Sequence, residues 1–222
     1  TNQLLFATCS YLALILNLPF LTRASTAIAA LENYNIFFLI SLPFFLLSLM
    51  LLLHGLLAFR WITKPILILT VTVSALIFYA TVTYGIVFDY GMVQNTFETD
   101  TAEALSYFNI YALGFFILLG LLPALLIYFV HLRRASFLQE LASRVKLIII
   151  ASTVLCILVG AFYVHFASVG RNNRELSSYI TPFKLYEASF KYISRTLNNS
   201  PREFHILDVK PMLNNSSGKP RV

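Results

Sequence analysis

The sequence predicts an all-α membrane protein, a bundle of five transmembrane helices followed by an amphipathic bridging segment and a C-terminal linker. Two observations predict this class. The chain is 58% hydrophobic and only 12% charged, whereas a soluble domain carries about 25% charged residues. In addition, five apolar stretches reach the ~20 residues that a helix needs to cross the hydrocarbon core of a bilayer.

The predicted spans lie near residues 2–21, 34–58, 65–87, 109–131 and 145–166. The first also resembles a signal peptide, because Ala27-Ile28-Ala29 is typical of a cleavage site. Its apolar run is longer than the ~7–15 residues of a signal-peptide core, and no positive segment precedes it. We therefore interpret it as a true span and residues 1–166 as a transmembrane domain.

The basic residues of the short loops predict the orientation of the spans. Six lie in or beside the loops after the second and fourth spans, against one in the loops on the opposite side. The six are Arg60, Lys64, Arg133, Arg134, Arg144 and Lys146, and the one is Arg23. Because short basic loops stay cytoplasmic, the start of the chain is expected in the cytoplasm. Residues 88–107 and the tail are then periplasmic, if the membrane is the inner membrane of a Gram-negative bacterium.

Composition also excludes several function classes. The net charge is +6, but the basic residues form no single block, so a nucleic-acid partner is not expected. Cys9 and Cys156 both lie in apolar runs without a CxxC motif, which argues against a metal site or disulfide framework in this chain. Apart from Lys146 at the start of the fifth span, the predicted spans contain no charged residue, whereas ion and proton pathways usually need them. This counts against a transporter.

Residues 167–222 differ from the rest of the chain. They hold nine basic and four acidic residues, and prolines with an Asn-Asn-Ser-Ser-Gly run at 214–218 are typical of a linker. This part is too poor in apolar residues to build its own core. We interpret it as a periplasmic bridging helix and a linker, and the whole chain as a piece of a longer protein.

The acidic stretch, defined as residues 88–107, is the first candidate site. It carries four of the ten acidic residues and no Lys or Arg. Asn95, Thr99 and Glu103 follow an i, i+4, i+8 spacing, which places them on one face of a continuous helix. The alternative is a solvated loop, since Asn95-x-x-Glu98 and Asp100-x-x-Glu103 both resemble helix capping boxes. Both interpretations put amide, hydroxyl and carboxylate groups at headgroup depth.

Two further sets of residues have open interpretations. Tyr79 and Tyr84 lie near the outer end of the third span, where aromatic residues commonly form an interfacial belt, and a ligand contact is the alternative. Arg171 and Arg174 follow the fifth span, and a guanidinium group matches phosphate geometry with two hydrogen bonds. They are either lipid-phosphate ligands or part of a basic helix that touches headgroups without specificity.

Two motifs resemble a known family. Residues 83–103 follow the pattern T-Y-G-I-V-x-D-x-x-M-x-x-N-x-x-x-T-D-x-A-E, and residues 171–182 follow R-N-N-x-E-L-x-x-Y-I-x-P. Together with the five spans, they resemble the lipid A phosphoethanolamine transferases, a family that includes the mobile colistin-resistance enzymes. The resemblance covers the whole chain.

The resemblance implies the membrane domain of an enzyme. Family members join five transmembrane helices to a periplasmic domain of the alkaline phosphatase type, with a threonine nucleophile and zinc. The resemblance thus implies that catalytic residues and zinc belong to a domain absent from this chain, which alone is expected to be inactive. The parent enzyme would move phosphoethanolamine from phosphatidylethanolamine to lipid A, conferring polymyxin and colistin resistance. The acceptor remains open between lipid A and core sugars.

The resemblance also implies roles for the candidate residues. Donor-headgroup contacts of the family fall on Asn95, Thr99 and Glu103, with Tyr84 a weaker match. Phosphatidylethanolamine, lipid A and the absent catalytic domain are the implied partners. A second hypothesis is a non-enzymatic five-span protein, either a transporter subunit or a membrane anchor. The sequence downstream of this chain distinguishes the two.

Overall fold

The computed structural model describes residues 2–30, 35–57, 61–98, 109–132 and 136–198. Within these ranges every regular element is a helix and no strand is present, so the all-α prediction is confirmed. A short 3-10 turn, Arg174–Tyr179, precedes the last helix. The helices are α1 (Asn2–Leu16), α2 (Leu18–Ala29), α3 (Ile36–Leu57), α4 (Thr63–Tyr84), α5 (Tyr90–Glu98), α6 (Ile110–Phe129), α7 (Phe137–Ala161), α8 (Tyr163–Asn172) and α9 (Phe183–Asn198).

Four of the described helices are long and apolar enough to cross a membrane, namely α3, α4, α6 and α7. The pair α1 and α2 is bent by 56° and makes a fifth if it counts as one span. The chain is therefore a multi-pass membrane protein. Many large apolar side chains of these helices are exposed, for example Leu118 at 64% and Ile157 at 61%, as expected for helices that face lipid rather than water.

The helices form two antiparallel pairs with α1 between them. α3 packs along α7, α4 packs along α6, and α1 contacts both α3 and α4. The side chains of Leu5, Cys9 and Leu12 on α1 are fully buried in the core. Tyr84 and Asn109 lie at one end of the bundle, which we call the Asn109 end. Arg144 lies at the other, which we call the Arg144 end.

The first helix bends at Asn17, inside the predicted 2–21 span. Pro19 is the second residue of α2, and a proline has no N–H to donate to the carbonyl four residues earlier and clashes with that turn. The Asn17 side chain compensates locally, because its Nδ2 donates to the Leu12 carbonyl at 2.9 Å. The break thus leaves a buried amide where a straight helix would have only backbone hydrogen bonds.

The same amide fastens the polar segment to the bundle. Asn17 Nδ2 also donates to the Thr181 carbonyl at 2.5 Å, and the Thr181 N–H donates to Asn17 Oδ1 at 2.9 Å. Asn17 is fully buried and Thr181 is 8% exposed. Two residues 164 positions apart are therefore paired through both polar atoms of one side chain.

Helix α6 contains a π-helical turn, Phe116–Leu121. Pro123 follows it, so the Leu119 carbonyl receives no N–H from the residue four positions later. The Tyr11 hydroxyl donates to this carbonyl at 2.7 Å, which ties α1 to α6. Hydrogen bonding from a neighbouring helix is one of the ways that membrane helices tolerate proline.

Helix α7 begins earlier than the apolar pattern suggested. Ser136 and Gln139 form a capping box at its start, so the helix covers Phe137–Ala161, whereas the predicted span was 145–166. As a result Arg144, which the sequence placed in a loop, lies inside the helix and is only 2% exposed. It donates to the Thr63 hydroxyl at 3.2 Å and lies 3.8 Å from Glu140.

Candidate lipid site at the Asn109 end

The acidic stretch begins where α4 ends. Gly85 closes α4 in the left-handed conformation with φ of 68°, which glycine adopts without the strain that a side chain would cause. The chain then turns, and Asp89 Oδ1 accepts from the Met92 N–H at 2.9 Å. This carboxylate caps the start of α5. Asn95 therefore lies inside a helix, not at the helix start that the capping-box alternative expected.

Two tyrosines and one asparagine meet at the Asn109 end, and we call them the Tyr–Asn cluster. The Tyr79 hydroxyl donates to Asn109 Oδ1 at 3.0 Å, and Asn109 Nδ2 donates to the Tyr84 hydroxyl at 3.4 Å. The two tyrosine rings pack edge to face, with centroids 5.8 Å apart. Tyr79 is 5% exposed and Tyr84 is 42% exposed. The cluster thus joins the end of α4 to the start of α6.

The asparagine of the Tyr–Asn cluster also caps a helix. Asn109 is the N-cap of α6, and its Oδ1 also accepts from the Ala112 N–H at 2.9 Å. Because Oδ1 receives two donors, the amide orientation is set and Nδ2 is directed to Tyr84. Tyr84 is the member that reaches the surface.

Helices α5 and α9 pack against each other and support the acidic stretch. The rings of Phe97 and Tyr192 stack at 5.1 Å and are within 6° of parallel. The Arg195 guanidinium lies 4.5 Å from the centroid of the Tyr90 ring, within cation–π range. Val93 is buried, whereas Asn95 is on the exposed side of α5. Asn95 is therefore accessible to a ligand at the surface.

Thr99 and Glu103 lie outside the described residues. The shared face of Asn95, Thr99 and Glu103 therefore stays a prediction. Among the predicted donor contacts, Tyr84 belongs to the Tyr–Asn cluster and Asn95 to α5.

Helix α9 is held to the bundle by a hydrogen bond and stabilised by its own charges. The hydroxyls of Thr70 on α4 and Tyr186 on α9 are 2.5 Å apart. Burial raises the pKa of Tyr186, so this phenol stays protonated near neutral pH. Hydrogen bonds from Lys191, and then from Lys184, lower the pKa of Glu187. These two pairs lie on the helix surface, at 2.8 and 2.9 Å.

The candidate phosphate ligands of the second motif are both exposed. Arg171 ends α8 and Arg174 opens the 3-10 turn. A cleft of about 510 Å³ lies beside them, between α2 and the 3-10 turn, and its lining includes Arg23 and Glu175 instead. The Arg23 guanidinium lies 4.3 Å from the centroid of the Tyr179 ring. The structure thus adds Arg23 to Arg171 and Arg174 as a third arginine in this region. The sequence analysis placed Arg23 in a loop.

An apolar groove of about 590 Å³ runs from the Tyr–Asn cluster towards the middle of the bundle. The bent pair α1–α2 forms one wall with Leu14, Ile15 and Leu18. Phe78 and the Ile110–Leu119 part of α6 form the other wall. Its lining is almost entirely carbon.

Sequence reasoning missed one member of the Tyr–Asn cluster and weighed another as an interfacial aromatic. Asn109 was not singled out, although an asparagine immediately before an apolar run is an N-cap signal. Tyr79 and Asn109 are 30 residues apart, so no local pattern connects them. Among the described residues, no group of three or more His, Cys, Asp or Glu side chains can hold a metal ion. A zinc site does not fit these described residues.

Comparison with known proteins agrees with the resemblance. The family model for phosphoethanolamine transferase EptA/EptB matches residues 45–197, more than half of the chain. The phosphatidylethanolamine transferase Mcr-1 of Escherichia coli is 31% identical over 222 residues, covering 96% of this chain and 40% of the relative. The phosphoethanolamine transferase EptA of Escherichia coli K12 is 29% identical, covering 86% and 35%. The chain spans about 40% of the length of the curated relatives it matches.

A solved structure shares the fold. The integral membrane lipooligosaccharide phosphoethanolamine transferase A (EptA) of Neisseria meningitidis superposes with a TM-score of 0.85 at 23% identity. The match covers 90% of this chain and 38% of that one. On the family match, the chain belongs to the EptA/EptB family of phosphoethanolamine transferases.

Proposed function

We propose that this chain is the membrane domain of an enzyme that moves phosphoethanolamine from phosphatidylethanolamine to lipid A. The observation that carries the proposal is the polar Asn109 end of a bundle of this family, where the side chains of Tyr84 and Asn95 are exposed. Transfer to lipid A removes negative charge that attracts cationic polymyxins, so the product would be colistin resistance. Phosphatidylethanolamine is the donor and lipid A the acceptor.

The headgroup is bound by complementary charges and hydrogen bonds. The ammonium group of the donor pairs with the Glu103 carboxylate, and Asn95 and Thr99 orient its phosphate. The Tyr84 hydroxyl adds a donor at the edge of the Tyr–Asn cluster. Binding would partly remove this ammonium–carboxylate pair from water, so losing one partner would cost about 2–5 kcal/mol. Arg171 and Arg174 are proposed to bind phosphates of neighbouring lipids.

The bond-breaking chemistry is assigned to another part of the parent protein. The curated relatives are more than twice as long as the match, and zinc with a nucleophilic threonine is proposed for that further part. We also propose that the Asn109 end is periplasmic, in the inner membrane, with the start of the chain in the cytoplasm. The basic Arg144 end then faces the cytoplasm, as the loop charges require.

Substitutions in the full-length parent test the assignment. Glu103→Ala and Asn95→Ala are expected to lower the fraction of lipid A that carries phosphoethanolamine, measured by mass spectrometry. For Asn95 the expected loss is about tenfold, as for a lost hydrogen bond to a charged group worth ~1.5 kcal/mol. Tyr84→Phe removes only the hydroxyl and should show a smaller loss.

The neighbouring Thr96→Ala is the matched control. Its hydroxyl donates to the Met92 carbonyl of the same helix at 2.8 Å, so its loss should leave transfer unchanged. All variants are compared at equal membrane abundance. Wild-type modification in both Glu103→Ala and Asn95→Ala would refute the site, and a parent without transfer activity would refute the function.

A further inference from the structure

The apolar groove between α1–α2 and α6 points to a second element of substrate recognition. We propose that this groove binds one acyl chain of the phospholipid whose headgroup lies at the Tyr–Asn cluster. The inference rests on the proposed function only in naming phosphatidylethanolamine as that lipid. The position of the groove identifies what occupies it. Its walls belong to membrane-spanning helices, so the molecules that surround it are lipids.

The groove is continuous with the polar cluster. Phe78 and Ile110 line the groove and are the direct neighbours of Tyr79 and Asn109 in sequence. Phe115 also lines it, and its ring lies 5.5 Å from the ring of Tyr79. A lipid with its polar part at Tyr84 therefore meets a carbon-lined path directly below. This arrangement of polar groups above apolar surface matches an amphipathic ligand.

The length and volume of the groove suit one acyl chain. It follows α6 from Ile110 to Leu119, which is about 14 Å of helix at a rise of 1.5 Å per residue. That is roughly half of a hydrocarbon core about 30 Å thick, so the groove is as deep as one leaflet. Its volume of about 590 Å³ lies within the range of ~300–1,000 Å³ typical of ligand pockets.

Two glycines of α6 show that this helix is closely packed at one position and open at the groove. A Cβ atom at Gly120 would lie 3.1 Å from the Ala75 Cβ, where α4 and α6 pack closely. A Cβ atom at Gly114 would have no neighbouring atom within 4 Å. Gly114 faces the groove, so a side chain there occupies the space that an acyl chain would take.

Photolabelling of the full-length parent in lipid nanodiscs tests the inference. The probe is phosphatidylethanolamine with a diazirine in the middle of one acyl chain, and the readout is label on the 110–119 peptide. Gly114→Leu should lower this label about tenfold, because its side chain displaces about two methylene contacts of ~0.8 kcal/mol each. Leu118→Trp fills the same wall from another position and should lower it as well.

Gly160→Leu is the matched control, because a Cβ atom there also has no neighbour within 4 Å and Gly160 is on α7. Its label should stay within about twofold of wild type, because Gly160 does not line the groove. Equal label in Gly114→Leu, Leu118→Trp and Gly160→Leu would overturn the inference. So would protein–protein adducts in place of lipid adducts, which would identify a second copy of the chain as the occupant.

The two proposals fail separately. Lipid A modification by the same parent is measured in parallel, and wild-type transfer with unlabelled 110–119 peptide would reject the groove alone. A labelled peptide in a parent without transfer would reject the proposed function and retain the groove as a lipid site. Label that is equal for a phosphatidylcholine probe of the same chains would show that the groove binds the acyl chain regardless of headgroup.

Discussion

Single residues at the Arg144 end show how a charge is kept inside a helix bundle. Arg144 is 2% exposed, and its Nε and Nη1 atoms have no hydrogen-bond partner in the described part of the chain. Its contacts are the Thr63 hydroxyl and the Glu140 carboxylate. A buried charge with few partners is costly to keep and more costly to leave unpaired. The contacts of Arg144 therefore lead to a specific prediction about the stability of the protein.

Removing one partner should destabilise the protein more than removing the charge itself. Glu140→Gln is expected to lower the free energy of unfolding by about 3 kcal/mol, the low end for a broken buried pair, because Glu140 keeps some exposure. Arg144→Met should be close to neutral, and the double variant should recover most of the loss. Thermal unfolding in detergent measures all three.

Glu187→Gln provides the control for the carboxylate change. Its pairs with Lys184 and Lys191 are on the surface, where such pairs contribute less than about 1 kcal/mol. An additive double variant, or equal losses at Glu140 and Glu187, would contradict the buried-pair account.

At the scale of elements, the break between α1 and α2 connects the two parts of the chain. In a straight first span, the backbone N–H and C=O groups would be paired by hydrogen bonds within the helix. The bend at Asn17 leaves an amide that pairs with Thr181, just before α9. Helix α9 then packs on α5 through Phe97 and Tyr192. The position of α5 thus depends on a series of contacts that begins at the buried Asn17.

Asn17→Leu should therefore loosen the polar segment as well as lower stability. It leaves the Thr181 N–H and carbonyl buried without partners, at about 1–3 kcal/mol for each group. We expect a lower midpoint of thermal unfolding in detergent and faster proteolysis within residues 183–198. The exposed Asn172→Ala is the control. Identical unfolding and proteolysis for the two variants would show that Asn17 does not hold this segment.

At the scale of the whole molecule, the two ends of the bundle differ in chemistry. The Arg144 end carries Lys64, which donates to the Tyr128 carbonyl at 2.6 Å, and Asn2, which donates to the Ser143 hydroxyl at 2.8 Å. The Asn109 end carries the Tyr–Asn cluster, and α5 follows α4 there. This asymmetry underlies the proposed orientation, in which only the Asn109 end meets periplasmic substrates.

Cysteine labelling measures that orientation. In a background with Cys9 and Cys156 replaced by alanine, Thr96→Cys on α5 should react with a membrane-impermeant maleimide from the periplasm. Leu138→Cys on α7, which is 75% exposed, should react only after the inner membrane is permeabilised. Both positions should react fully in detergent, which controls for accessibility. The reverse pattern in intact cells would invert the proposed topology.

Much of the architecture could be predicted because its signals are local. The length of each apolar run, the polar tail and the scarcity of charge depend only on neighbouring residues, so the all-α membrane class followed from composition. Tyr84 was selected from its motif for the same reason. The joint face of Asn95, Thr99 and Glu103 remains a prediction for the experiments above.

The features that tertiary structure decided all join residues distant in sequence. Burial of Arg144 depends on the start of α4 meeting α7 at Thr63, and the Tyr–Asn cluster depends on α4 meeting α6. The hydrogen bonds between Asn17 and Thr181 likewise depend on the bend between α1 and α2. The groove along Gly114 depends on it too. Hydropathy averages over a window, so it detects that a segment prefers lipid but not which atoms meet across the bundle. The sequence by itself determined a multi-pass helical protein with a polar, acidic stretch, and packing decided which side chains meet at the Asn109 end of the bundle.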